Sequence, residues 1–248
     1  MDKSEELKLE MKLLRGGTVQ FERLTIKPLT LGEIEDIGIE KYLNLINFST
    51  LTKERVVGRD LIKVFEEYSF YQIVVNYEEL RETFLEFLRT FVLHDEDEDS
   101  VRYVPTVDTI VVRYNKTNGK INNSNFQEFL DFMRRVYHVP KVEKESDRMD
   151  IDDEMADLLK EFEEVEAKVA KDSGNEITIT SMIEAICVKH PSLNLITIWD
   201  YTMYQFMKTF YRIEQIDSAR NIMTGIYSGC IESKKINLKE YHWAKKIE

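Results

Sequence analysis

Residues 192–248 read SLNLITIWDYTMYQFMKTFYRIEQIDSARNIMTGIYSGCIESKKINLKEYHWAKKIE, a stretch rich in large apolar side chains and poor in reactive ones. From Trp199 onward, Met203, Phe206, Met207, Phe210 and Ile213 recur at helical spacing, so one helical face carries aromatic and thioether surface suited to packing. A helix is expected from Thr197 to about Glu214, a second capped by Asp217 and stopping near Gly229, and a last one begun by the box Asn237-Leu-Lys-Glu240 and bearing Tyr241, Trp243 and Ile247. Upstream, Ser181-Met-Ile-Glu184 fits a capping box for a helix ending before Pro191.

Working back toward the start, Lys141 to Gly174 opens with a polar stretch and becomes the acidic helix EMADLLKEFEEVEAKVAK, with Leu158, Phe162 and Val165 on its apolar side. Before it, Phe126, Phe129, Leu130, Met133 and Val136 mark a helix closed by Pro140. The β-rich runs Val101 to Val104 and Thr109 to Tyr114, with Asn118-Gly119 placed as a tight turn, predict a small hairpin; Ile121 fits a further strand. Lys53 to Leu93 reads as helix almost throughout, with Leu61, Val64, Phe65 and Tyr68 on one face and Leu80, Phe84, Phe87, Leu88 and Phe91 on another; Phe70 to Val75 fits either a strand or a buried helical turn. Thr30-Leu-Gly-Glu33 is a capping box for a helix running toward Ile46, and Thr18 to Lys27 reads as one bulged strand whose alternation slips phase between Phe21 and Leu24.

The expectation is therefore a mainly α fold with a small β component. A flexible segment 1–17 precedes an α+β lobe over 18–140 with a strand and a β hairpin; an acidic connector with an amphipathic helix (141–174) leads to an all-helical C-terminal lobe (175–248).

Composition narrows the function. The 248 residues carry a formal net charge of −12, which disfavours a general nucleic-acid binder, and a mean hydropathy of −0.38 with no apolar run long enough to span a bilayer. The first residues mix acids with bases and lack an apolar signal core, so a cytoplasmic protein is expected. Cys187 and Cys230 lack a CxxC partner and read as small packed thiols. The four histidines, His94, His138, His190 and His242, are scattered with no HExxH spacing, Gly16-Gly17 stands without a phosphate-loop pattern, and no serine sits in a GxSxG elbow. The acid clusters at Asp95 to Asp99 and Asp150 to Asp153 lack the glycine and closing glutamate of an EF-hand. The expectation is no enzyme, no catalytic residue, no metal and no cofactor. Partner-binding surface is instead expected at Trp199, Met203, Phe206, Met207, Phe210, Tyr211 and Trp243, with the acidic arm at Leu158, Phe162 and Val165.

Three segments carry a family resemblance: IKPLTLGEIEDIG at Ile26 to Gly38, the acidic helix running into ITITSMIEAICVKHPSLN, and IWDYTMYQF with the following FYRIEQ and the later HW. Through them the chain resembles the tail assembly chaperones of long-tailed bacteriophages of low-GC Gram-positive hosts. The resemblance implies a protein that binds the tape measure protein before the tube polymerises, helps recruit the major tail tube protein, acts in the host cytoplasm and is absent from the mature virion, with self-association left open. It also implies a longer frameshifted product, for which Lys245-Lys246 marks the place to read the gene. Two other readings are a structural subunit of the phage particle and an acidic protein that inhibits by occupying a basic groove.

Overall fold

The computed structural model describes residues 2–58, 61–93, 100–114, 117–139, 178–231 and 237–246. The chain is mainly α with two small antiparallel sheets, as the sequence predicts. It divides into two compact units, one formed by 1–140 together with 199–248 and the other by 141–198. The last fifty residues thus belong with the N-terminal portion, and the single helical lobe expected over 175–248 is divided at Trp199.

In the larger unit, helix α1 (Lys3–Leu14) occupies the segment expected to be flexible. Asp2 and Glu5 form a reciprocal capping box, and buried Leu13 anchors the last turn. Strands β1 (Val19–Phe21) and β2 (Leu24–Ile26) make a hairpin in register Val19↔Ile26 and Phe21↔Leu24. The phase slip read as a bulge is the chain reversal itself: Glu22 adopts φ of 49°, and all four apolar side chains fall on one buried face. Thr30 and Glu33 cap α2 (Leu31–Ile37) as expected, with the Glu33 amide donating to Thr30 Oγ1 at 3.2 Å and the Thr30 amide to Glu33 Oε2 at 2.8 Å. The helix expected to continue toward Ile46 is broken at Gly38, whose φ of 92° starts α3 (Ile39–Asn47) in a new direction.

After α4 (Lys53–Val57) the segment 61–67 is turn, and Leu61, Val64 and Tyr68 are exposed, so the helical face expected there does not form. The ambiguous run becomes helix α5 (Phe70–Asn76) because Ser69 and Gln72 cap each other reciprocally. Helix α6 (Glu78–Leu88) follows and ends in a π-helical turn, Arg89–Leu93. Strands β3 (Val101–Val104), β4 (Thr109–Tyr114) and β5 (Thr117–Ile121) form one antiparallel sheet. Asn118-Gly119 therefore lies inside β5 and not at a turn. Gly119 is there for another reason: a Cβ on it would sit 2.0 Å from Leu24 Cδ2, so the hairpin and the sheet approach through the missing side chain.

Helix α7 (Phe126–Val136) closes an aromatic core. Phe84 meets Phe126 edge-on at 5.1 Å and stacks on Phe48 at 5.1 Å, Phe21 meets Phe129 at 5.3 Å, and Phe91 meets Tyr137 at 4.9 Å. Such pairs each add about 0.5–1.5 kcal/mol beyond area burial.

Helix α8 (Ile179–Lys189) belongs to the other unit. Its cap lies one turn earlier than expected: Thr178 and Ser181 form the box, since Thr178 Oγ1 accepts from the Ser181 amide at 3.2 Å and Ser181 Oγ accepts from the Thr178 amide at 3.0 Å. Helix α9 (Met203–Tyr227) is continuous through Asp217, where a new helix was expected. Thr202 and Gln205 supply its capping box, and without a helix-breaking residue before Gly225 nothing interrupts the ladder. Residues 237–246 are turns and not the expected last helix.

Candidate protein-binding surfaces

The start of α9 is tied by backbone bonds to the first residue of α2 and the loop before it, and by a side-chain bond to the end of α1. The Leu31 amide donates to Tyr201 O at 2.8 Å, the Met203 amide to Leu29 O at 3.3 Å, and Gln205 Nε2 to Leu14 O at 3.0 Å. This docking carries Met203 and Phe206 into the interior; Phe206 is 0% exposed. The face read from sequence as one stripe is thereby divided. Met203 and Phe206 are core, Met207 and Phe210 are half-buried, and Trp199 and Tyr211 lie at the surface. Trp243, 59% exposed, stacks on His242, and its backbone carbonyl accepts from Arg212 Nη1 at 2.6 Å. Leu158, Phe162 and Val165 lie outside the described residues.

His138, one of the scattered histidines, sits at φ of 54° with its ring edge-on to Tyr204 and Tyr211, at 5.6 and 5.8 Å. Burial, helped by the Lys208 ammonium, pushes its pKa down to about 4. It is thus a neutral packing group between the end of α7 and the face of α9.

Among the described residues, open apolar surface that the sequence reading did not mark includes two groupings of interest. One is on α1, where Leu7, Met11 and Leu14 are exposed. The other is a groove of about 430 Å³ lined by Glu184, Cys187, Val188, Asn194, Leu195 and Ile196. Its walls follow from local chemistry. Helix α8 buries Ile183 and Ile186, which turns Glu184 and Val188 to the other side and leaves Cys187, one turn after Ile183, half-buried at the edge between them. Beyond Pro191 the chain is fixed by short polar bonds: His190 Nδ1 accepts from the Leu193 amide at 3.2 Å, and Asn194 Oδ1 accepts from the amides of Ile196 and Thr197 at 2.8 and 3.0 Å. Leu193 and Ile198 anchor this loop inside, while Val188 and Ile196 remain 86% and 84% exposed. Apolar side chains held outward by a satisfied loop make this groove a candidate contact surface. Burial raises the pKa of the Cys187 thiol, which keeps it protonated and poorly nucleophilic at neutral pH.

The sequence signal for the groove was the pair Leu195-Ile196 together with Val188, but the period of a helix cannot show which of two apolar faces is left open. Among the described residues no group of three or more His, Cys, Asp or Glu side chains is arranged to hold a metal, and no helix is long and apolar enough to cross a membrane.

Residues 169–248 match the family model described as YomV second domain, a Bacillus phage-type protein family. The match takes in the groove, α8 and α9, and is consistent with a phage protein without pointing to tail assembly in particular. No curated protein and no solved structure matches the chain.

Proposed function

We propose that this chain is a phage morphogenesis chaperone that works by contact alone, holding apolar helical surface of the tape measure protein until the tail tube subunits assemble on it. The observation that carries the reading is the groove at Val188, Leu195 and Ile196, within the region similar to a phage-type family. A helical client that seated one or two apolar side chains there would gain about 1.5–3 kcal/mol for each one fully buried. Glu184 on the rim, and the acidity of the whole chain, would keep the loaded complex soluble. The work takes place in the host cytoplasm and leaves no copy in the finished particle.

The test is co-expression with the tape measure protein encoded by the same phage. The parent chain keeps the client soluble and co-purifies with it; a Val188→Ser, Ile196→Ser double variant loses the client while melting with the parent, because both side chains already face water. Retention of the client by that variant would remove the groove from the mechanism. Mass spectrometry of purified virions should find no peptide of this chain; stoichiometric amounts there would make it a structural subunit instead.

A further inference from the structure

We propose that the outer face of α1 is a docking site for an acidic amphipathic helix of another protein. Leu7, Met11 and Leu14 follow one another at spacings of four and three, so they form a single seam along the helix, and Met11 at its centre is 63% exposed. Leu13, on a different side, is buried and fixes the helix to the body of its unit, so the seam faces outward by construction.

Charge identifies the occupant. On one shoulder of the seam stand Lys8 and Arg15, on the other Lys3 and Glu10, with Glu6 beyond it. Among the described residues Lys3, Lys8 and Arg15 make no ion pair, whereas Glu10 and Glu6 are both engaged by Lys246, at 3.3 and 3.7 Å. The patch therefore presents four cations against two carboxylates in a chain whose net charge is −12. Burial of the seam by a basic helix would set like charges along the Lys8 and Arg15 shoulder.

A second copy of α1 fits poorly for the same reason. Laid antiparallel, two copies bring Lys8 against Arg15; laid parallel, they bring Lys3 against Lys8, and the attraction of Glu10 for Arg15 that accompanies it competes with the ion pair Glu10 already makes with Lys246. A partner helix with an apolar seam and glutamates on its shoulders meets neither repulsion: its carboxylates face Lys8 and Arg15 on one side, and on the other Lys3 together with Glu10, whose charge Lys246 offsets. The site lies in the unit formed by 1–140 and 199–248, whereas the groove belongs to 141–198, so the two surfaces stand or fall separately.

The probe is a fluorescein-labelled peptide of about 21 residues, three heptads with leucine at the seam and glutamate on the shoulders, alongside the same peptide with lysine for glutamate. Anisotropy with the full chain should show binding of the acidic peptide only, with a gain of helical signal on mixing and a loss of affinity as salt rises from about 50 to about 500 mM. Met11→Ser should weaken binding about tenfold without moving thermal unfolding, since the side chain is exposed. The double variant Lys8→Glu, Arg15→Glu should transfer preference to the lysine peptide. Equal binding of both peptides, no binding of the acidic one, or binding indifferent to Met11→Ser would overturn the proposal. A dimer in sedimentation that Met11→Ser dissolves would overturn it in favour of a second copy.

Discussion

Gly119→Ala tests how the β hairpin meets the three-stranded sheet. The added methyl would stand 2.0 Å from Leu24 Cδ2 and 2.6 Å from Leu24 Cγ, against the roughly 3.5–4 Å of an ordinary carbon contact. Leu24 is buried on the face it shares with Val19, Phe21 and Ile26, so it must withdraw by about 1.5 Å into packed neighbours or leave its rotamer. Overpacking of that kind costs about 1–3 kcal/mol. Leu24→Ala alone should cost about 2–5 kcal/mol through lost burial and a cavity. In the double variant the new methyl enters the space the leucine leaves, so the combined loss should fall short of the sum by about 1–3 kcal/mol. Urea denaturation followed by far-UV circular dichroism measures all four corners of the cycle. Additive losses would refute the reasoning: they would mean that Gly119 is needed for a backbone conformation, as in the turn the sequence suggested, and not for the approach of Leu24.

Three further outcomes are expected. Phe206→Ala should destabilise by about 3–5 kcal/mol because the ring is wholly buried, whereas Tyr211→Ser, at the surface, should cost less than about 1 kcal/mol; comparable urea midpoints for the two would contradict the division of the stripe. Thr30→Ala removes a cap accepted from the Glu33 amide and should lower stability by about 0.5–2 kcal/mol, with Thr30→Ser restoring most of it in the same titration. For His138 the folded pKa of about 4 lies below the ordinary 6.5, so the unfolded chain takes up the proton first and stability is lost as pH falls from about 6.5 through about 4. Part exposure and solvent screening hold this loss to about 1–2 kcal/mol. His138→Asn, which tolerates the positive φ, should flatten the slope in that window relative to the parent, and an unchanged slope would dissociate His138 from it.

Under the two proposals, the surfaces would divide the work by their chemistry. The groove is almost wholly apolar and held by a network of short side-chain bonds, which suits a client recognised by its greasy face alone. The α1 seam is narrower and flanked by unpaired cations, which suits a partner selected by charge. A contact protein of this kind would distinguish its partners without a reactive group.

Much of the fold was written in local patterns. The capping box at Thr30 and Glu33, the helical period through Phe126 and Val136, and the β-rich runs around Val101 and Ile110 each specify an element by interactions within a few residues, and periodicity alone reports these. The hairpin was visible only as a slipped phase, because a two-residue reversal and a bulge leave the same trace in an alternating pattern. Asn118-Gly119 has the composition of a turn, yet its glycine serves a contact with Leu24, ninety-five residues earlier in the chain, and a local pattern holds no record of that distance. The site was less legible than the fold. The sequence determined that Trp199 to Phe210 would offer an apolar helical face, that no reactive constellation was spelled out locally, and that Val188, Leu195 and Ile196 would be apolar. The tertiary structure decided which apolar faces were used up: backbone bonds from Leu31 and Met203 draw Phe206 into the core, and satisfied turns leave Val188 and Ile196 in water. A helical period fixes which residues share a face, but burial is a property of two surfaces, and the second surface comes from elsewhere in the chain.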